Sequence, residues 1–339
     1  MQRRNSLLCF FTAAQNYSPP VAASFSAMAA DSQLAISVSK VIFDTGFSPV
    51  QESAIIRATN RGFTGIKAEK VKYMEEQVLQ TEKGNVFYWR SANWEVGSET
   101  IFFLHGLTAD HSMFDDQIAA FTDEYNILTW DTPGHGASRP FKTFDFGDTS
   151  HYIKRILDQN SVGQVVLVGQ SLGGYLAQSF IKRYPDRVKG FVSIDSTPYG
   201  FDYYSKFDIW TLKQIEWMAH LYPLQWMKTA IAKQVSTTRK SYDNMLKMLS
   251  PYNKNELCHL MGLGYAGFLD DNCEQKIPCP VLLILGEKDK TGKVAQYNKE
   301  WASKTGYPLK IIPAAAHNAN VDKPEVVNAC IHDFLSGAI

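Results

Sequence analysis

Val165-Val166-Leu167-Val168-Gly169-Gln170-Ser171-Leu172-Gly173-Gly174 is the stretch whose reading decides the fold. Four aliphatic residues in a row, three of them β-branched, read as a strand buried on both faces. Residues 172–184 read as a helix. Between the two lies Gly-x-Ser-x-Gly, which in a strand–turn–helix setting makes a sharp, strained turn. The glycines answer crowding: side chains two positions either side of Ser171 would collide with neighbouring backbone. The turn pushes the Ser171 hydroxyl into the open, at the positive end of the following helix. The competing reading is an ordinary glycine-rich turn.

Outward from Ser171 the alternation of strand and helix repeats. Two strands at 76–81 and 86–91 flank a Lys83-Gly84-Asn85 turn. Further strands are expected at 100–104, 125–130, 188–194, 281–285 and 309–312. Helices are expected at 113–121, 149–157 (capped by Asp148 or Thr149), 294–304 and 324–335. In the last helix Val326, Val327, Cys330, Ile331, Phe334 and Leu335 share one face. Continuous apolar strands alternating with amphipathic helices predict an α/β fold, with a mostly parallel central sheet flanked by helices. Such sheets carry their sites beyond the carboxyl ends of the strands.

With these motifs the chain resembles the α/β-hydrolase fold superfamily, as a serine hydrolase with a helical lid. The resemblance covers about residues 71–339. It implies a function for the residues after each strand. His105-Gly106-Leu107 stands where the family builds half of its oxyanion hole, and Asp131-Thr132-Pro133-Gly134-His135-Gly136-Ala137-Ser138 looks like its Asp-x-x-Gly-x-Gly-x-Ser turn. Gly286-Glu287-Lys288-Asp289 ends a late strand, where the family's acid sits, and His317 follows the last strand. The implied catalytic residues are Ser171, Asp289 and His317. The oxyanion donors are the backbone N–H groups of Leu107 and Leu172, and Gly169 and Gly173 form the nucleophile elbow. Asp195, at the end of an earlier strand, competes with Asp289 for the acid's role. His105 and His135 are read as fixing loop backbone, Asp131 as a turn acceptor and Gln170 as a packing residue.

The chemistry follows from these residue types. A serine hydroxyl needs a base within hydrogen-bond reach. His317 can take the proton and return it to the leaving group. Asp289 would hold the imidazole tautomer and stabilise the imidazolium. Epoxide hydrolases and haloalkane dehalogenases of this fold carry an aspartate at the elbow, so Ser171 argues against both. The expectation is cleavage of an ester, thioester or lactone of a small to medium apolar substrate through an acyl-enzyme. The alternatives are a carbon–carbon bond hydrolase, a haloperoxidase-like enzyme, and a non-catalytic ligand receptor on the same fold.

Residues 198–272 interrupt the alternation without a clear strand and are expected to form a helical lid. Thirteen of the 74 residues 199–272 are aromatic, which suits helices packed on the core or lining an apolar pocket. Trp210, Gln214, Trp217 and Leu221 fall on one helical face, and so do Met227, Ile231 and Val235. The domain reading is therefore an N-terminal extension at 1–70, a core formed by 71–197 and 273–339, and a lid at 198–272. Gly262-Leu263-Gly264-Tyr265-Ala266-Gly267 matches a dinucleotide-binding pattern, but it follows a helix-like 255–261 segment rather than a strand and is rejected. No His-Glu-x-x-His and no His/Cys spacing suits a metal, so neither metal nor cofactor is expected.

Lys plus Arg number 34 and so do Asp plus Glu. Without a basic excess there is no electrostatic footprint for a nucleic acid. No apolar run approaches the ~18 residues of a membrane span. The partner expected is a small-molecule substrate; the oligomeric state is not legible. Five cysteines in no regular framework favour a reducing compartment, hence the cytoplasm. Residues 1–30 hold Arg3, Arg4 and the apolar run 7–11 but no acid; they are read first as a disordered or upstream-start part of a partly disordered 1–70 extension, with a secretory signal or transit peptide as the alternatives. A short helix is expected at 51–60.

Overall fold

A computed structural model describes residues 74–337. The expected 51–60 helix and the 1–70 extension lie outside these residues.

An eight-stranded sheet runs in the order β1-β2-β4-β3-β5-β6-β7-β8. β1 (Met74–Gln80) and β2 (Asn85–Ser91) form an antiparallel pair, and β2 pairs antiparallel with β4. β3 (Thr100–Leu104), β4 (Asn126–Trp130), β5 (Val165–Gln170), β6 (Val188–Ile194), β7 (Val281–Gly286) and β8 (Leu309–Ile312) are parallel. The central strands bury both faces, and their side chains alternate between two cores. Ile101, Phe103, Val166, Val168, Val192 and Leu282 point to one core. Phe102, Leu104, Val165, Leu167, Phe191 and Leu283 point to the other.

Helices cover both faces. The first core is closed by α1 (Asp115–Phe121), entered through a 3₁₀ turn at His111–Phe114, and by α12 (Pro324–Leu335). The second is closed by α2 (Phe146–Gln159), α3 (Leu172–Arg183) and α10 (Val294–Thr305). α2 begins three residues before the expected start. Its cap is Asp145, and Asp148 instead completes a reciprocal capping box as the third helical residue. On α12, Val327 and Ile331 are buried but Val326 is exposed, so the apolar face is narrower than its spacing predicts. Cys330 is only half-buried, against the first core.

Between β6 and β7 come only helices: α4 (Lys206–Leu212), α5 (Ile215–Ala219), α6 (Leu224–Val235), α7 (Arg239–Leu249), α8 (Lys254–Gly262), a π-helical turn at Leu263–Gly267 and α9 (Phe268–Asp271). The rejected glycine motif is that π-turn. The insertion reaches the carboxyl edge of the sheet: a Cβ on Gly264 would press on Leu107, and Leu260 lies against Gly134. Of the two faces expected here, Met227 and Val235 pack inward, but Trp210, Trp217 and Leu221 are exposed. That second face breaks because α4 ends at Leu212 and α5 begins at Ile215, so its residues do not share one helix. Among the described residues no helix is long and apolar enough to cross a membrane. A short α11 (Ala319–Asp322) follows β8.

Candidate active site

Ser171 stands between β5 and α3 with φ +49° and ψ −112°, a conformation that L-residues seldom adopt. Its turn closes on itself because the neighbours lack side chains. A Cβ on Gly169 would overlap the Gly173 backbone, and one on Gly173 would overlap the Leu104 carbonyl at the end of β3. The Ser171 N–H donates to Ile194 O at 2.9 Å. The Ser171 carbonyl accepts from Gly174 N–H at 2.9 Å and from the Ser196 hydroxyl at 2.7 Å. Both ends of the strained residue are therefore held by backbone or by a short side chain.

From the Ser171 Oγ a line of hydrogen bonds leads inward. His317 Nε2 lies 2.8 Å from it, and His317 Nδ1 lies 2.8 Å from Asp289 Oδ2. An ionised carboxylate only accepts, so Nδ1 carries the proton and Nε2 is left to accept from the serine. Asp289 Oδ1 accepts the Thr291 N–H at 2.7 Å. His317 and Asp289 are buried, whereas Ser171 is half-exposed. The structure thus brings together the three residues named from the sequence, although Ser171 and His317 are 146 positions apart in the chain.

Both backbone donors expected from the sequence belong to segments next to the serine. Leu172 is the first residue of α3, where an N–H has no intrahelical acceptor. Leu107 follows Gly106, and a Cβ on Gly106 would come within 3.4 Å of Ser171 Cβ.

Asp195 does not reach the imidazole bond that Asp289 makes. Its two oxygens accept backbone N–H groups, from Gly286 at 2.6 Å and Ala319 at 3.3 Å. Burial, then the neighbouring Asp289 carboxylate, push its carboxyl well above the usual range. His105 and His135 take no part in the line. His105 Nδ1 donates to Gly106 O at 2.8 Å and its Nε2 accepts the Thr132 N–H at 3.0 Å. His135 is fully buried; burial and the nearby His105 pull it down to about 3, so it is neutral. Asp131 takes the Ala137 and His111 N–H groups and the His111 ring, closing the turn after β4.

Two residues do more than their sequence context suggests. Gln170, read as packing, donates from Nε2 to the His317 carbonyl at 2.8 Å, tying the base's loop to the elbow. Asp322 accepts Ala316 N–H at 2.9 Å and, from the insertion, Thr237 and Thr238 N–H at 3.0 Å each. Nothing in the local sequence marks the bond of Gln170 to His317 or those of Asp322 to Thr237 and Thr238, because these partners lie far away along the chain.

A model of the alpha/beta hydrolase fold matches residues 99–324. The chain belongs to this family. Its relatives include a 2-(acetamidomethylene)succinate hydrolase of Mesorhizobium japonicum, 24% identical over 69% of this chain and 87% of that one. A 3-oxoadipate enol-lactonase of Acinetobacter baylyi is 26% identical over 69% of this chain and 88% of its own. Among solved structures, a thermophilic esterase from Thermogutta terrifontis superposes with a TM-score of 0.63 at 18% identity, covering 78% of this chain and 98% of that one. At that identity the superposition speaks for the alpha/beta hydrolase fold alone. Hydrolases, a lactonase and esterases are the family members it resembles. Among the described residues no group of three or more His, Cys, Asp or Glu side chains is arranged to hold a metal.

Proposed function

We propose that this alpha/beta hydrolase is a serine hydrolase that cleaves an ester, thioester or lactone of a small to medium apolar substrate. The observation that carries the reading is the unbroken Ser171–His317–Asp289 line, each link 2.8 Å, starting from a strained serine. Ser171 Oγ attacks the acyl carbon as its proton passes to His317 Nε2. Asp289 holds Nδ1–H and balances the imidazolium. The Leu107 and Leu172 N–H groups receive the oxyanion. His317 then protonates the leaving group, and the acyl-enzyme is hydrolysed by water activated on the same imidazole. In this reading 71–197 and 273–339 are the catalytic core and 198–272 is the lid. The apolar character of the substrate is supported by the Leu107 side chain, next to Gly106 and packed against Gly264 of the π-turn.

A fluorophosphonate probe and a series of p-nitrophenyl esters of increasing chain length test the reading. Labelling on Ser171, lost in Ser171→Ala together with turnover by about 10⁴-fold or more, is the expected result. Labelling that persists in Ser171→Ala would remove the nucleophile. Labelling without turnover of any ester would favour carbon–carbon cleavage, and ligand binding retained without product would favour a receptor.

A further inference from the structure

Asp195 directly follows β6 as Ser171 directly follows β5, and it shares the serine's strain, with φ +47°. Its carboxylate joins two loops that are distant in the chain. Oδ1 holds the N–H of Gly286, the last residue of β7, from which the chain turns to Asp289. Oδ2 holds the N–H of Ala319, two residues after His317 and the first residue of α11. On the backbone side, Asp195 N–H donates to Ile284 O at 2.8 Å, and the preceding Ile194 carbonyl receives the Ser171 N–H. The two loops also touch directly: a Cβ on Gly286 would overlap the Ala316 carbonyl, and Lys288 N–H donates to Ala315 O at 2.8 Å. The loops of the acid and the base thus converge on Asp195, and the nucleophile's N–H is held by Ile194, the residue just before it.

A fully buried carboxyl beside a second carboxylate is costly, and a small neutral residue at 195 would avoid that cost. What it supplies is an acceptor with two lobes, one for each loop. We infer that Asp195 is a positioning residue that sets the Asp289–His317 separation by bracing both loops from one side chain. This rests on the triad reading above.

Asp195→Asn keeps an oxygen for Gly286 but turns an amide N–H₂ toward the Ala319 N–H, donor against donor. A shift of the imidazole by a fraction of an ångström should lower kcat by about 10- to 100-fold with KM within about twofold. The low-field proton resonance of His317 Nδ1–H should move or broaden, while the circular dichroism stays native. Unchanged kcat and an unchanged resonance would overturn the inference. So would a loss of activity in which the resonance keeps its wild-type position. Should the variant fail to fold, hydrogen exchange in the wild-type protein decides. Ala319 heads a four-residue helix, where an N–H exchanges fast unless something else holds it; the inference requires it to be as slow as Gly286, and fast exchange refutes it. Ser171→Ala separates the two claims. If it retains turnover, the triad reading falls; if it is inactive while Asp195→Asn is normal, only the role of Asp195 falls.

Discussion

The carboxyl edge of the sheet and the helical insertion above it are built on different principles. At the edge, position comes from backbone. Ser171, Asp195, Thr108 and Ala314 all have positive φ and sit in the loops after β5, β6, β3 and β8. Glycine contacts close the turn at Ser171, and carboxylates bind N–H groups at Asp195 and Ala314. In the insertion, position comes from side chains that reach the core: Asp271 to Arg183, Glu256 to Arg139, Asp208 to Lys293 and Lys240 to Asp116. Exposure differs as well. Phe201, Phe207, Trp210, Trp217, Leu221 and Trp226 are exposed within 26 residues, whereas no large apolar side chain between 97 and 200 is. Small displacements should therefore be expensive at the edge and cheap on the outer helices.

The sharpest test of that contrast is Asp289→Asn. The amide stabilises the wrong imidazole tautomer, so kcat should fall by about 10⁴, about 5.5 kcal/mol in the barrier, with the fold intact by circular dichroism. Near-normal turnover would mean that the line of hydrogen bonds is not the working one. Next comes Gly173→Ala. The added methyl meets the Leu104 carbonyl, which belongs to a central strand and cannot give way. Denaturant unfolding should show a loss of about 3 kcal/mol; a loss below about 1 kcal/mol would show that the elbow is softer than its geometry implies.

The insertion should respond less, and in a way that pH reveals. Burial raises the Asp271 carboxyl, but the Arg183 hydrogen bonds and the Lys182 and Arg183 charges outweigh it and leave the carboxyl below its ordinary range. A group whose folded pKa is depressed stabilises fully above its unfolded value and loses that contribution as pH falls through the folded one. Asp271→Ala should cost about 2 kcal/mol at pH 7, less than a fully buried pair because Arg183 is partly exposed. The difference from wild type should shrink below about pH 4. A cost that stays constant down to pH 2 would assign it to packing. The smallest effect is expected at Trp210 and Trp217, 56% and 55% exposed. Serine at either should move stability by no more than about 0.5 kcal/mol in thermal or denaturant unfolding. A larger loss would place these rings in a contact that matters to the folded chain.

The same division governs what could be read before any coordinates. Strands 100–104, 188–194 and 309–312 and helix 324–335 are found at the expected residues. A strand covered on both faces, as 100–104 is, must be almost wholly apolar, and that signal is local; 309–312 is the edge strand, with Ile311 exposed, and is legible from its aliphatic residues alone. The start of α2 was misplaced because Asp145 and Asp148 are both good caps, and only the reciprocal bonding between them shows which one begins the helix. The spacing of Trp210, Trp217 and Leu221 misleads because periodicity assumes one unbroken helix, and the chain breaks between Leu212 and Ile215. Gln170 was legible as a neighbour of the serine but not as the donor to His317 O.

The sequence by itself determined the strand–turn–helix around Ser171, since glycine at 169 and 173 and an aliphatic run before them act within ten residues. It also determined the class of fold, because alternating periods of two and 3.6 leave few ways to bury such faces. It left Asp195 and Asp289 as two acids that could serve one histidine, and the preference for Asp289 came from the family resemblance and its placement after the late strand. Both stand at the ends of neighbouring strands, a single sheet position apart. Which carboxylate faces the imidazole and which faces the backbone depends on how the loops after β7 and β8 lean together across Gly286 and Ala316. That is a contact between residues 30 positions apart, set by close packing rather than by any local preference, and only the folded chain contains it.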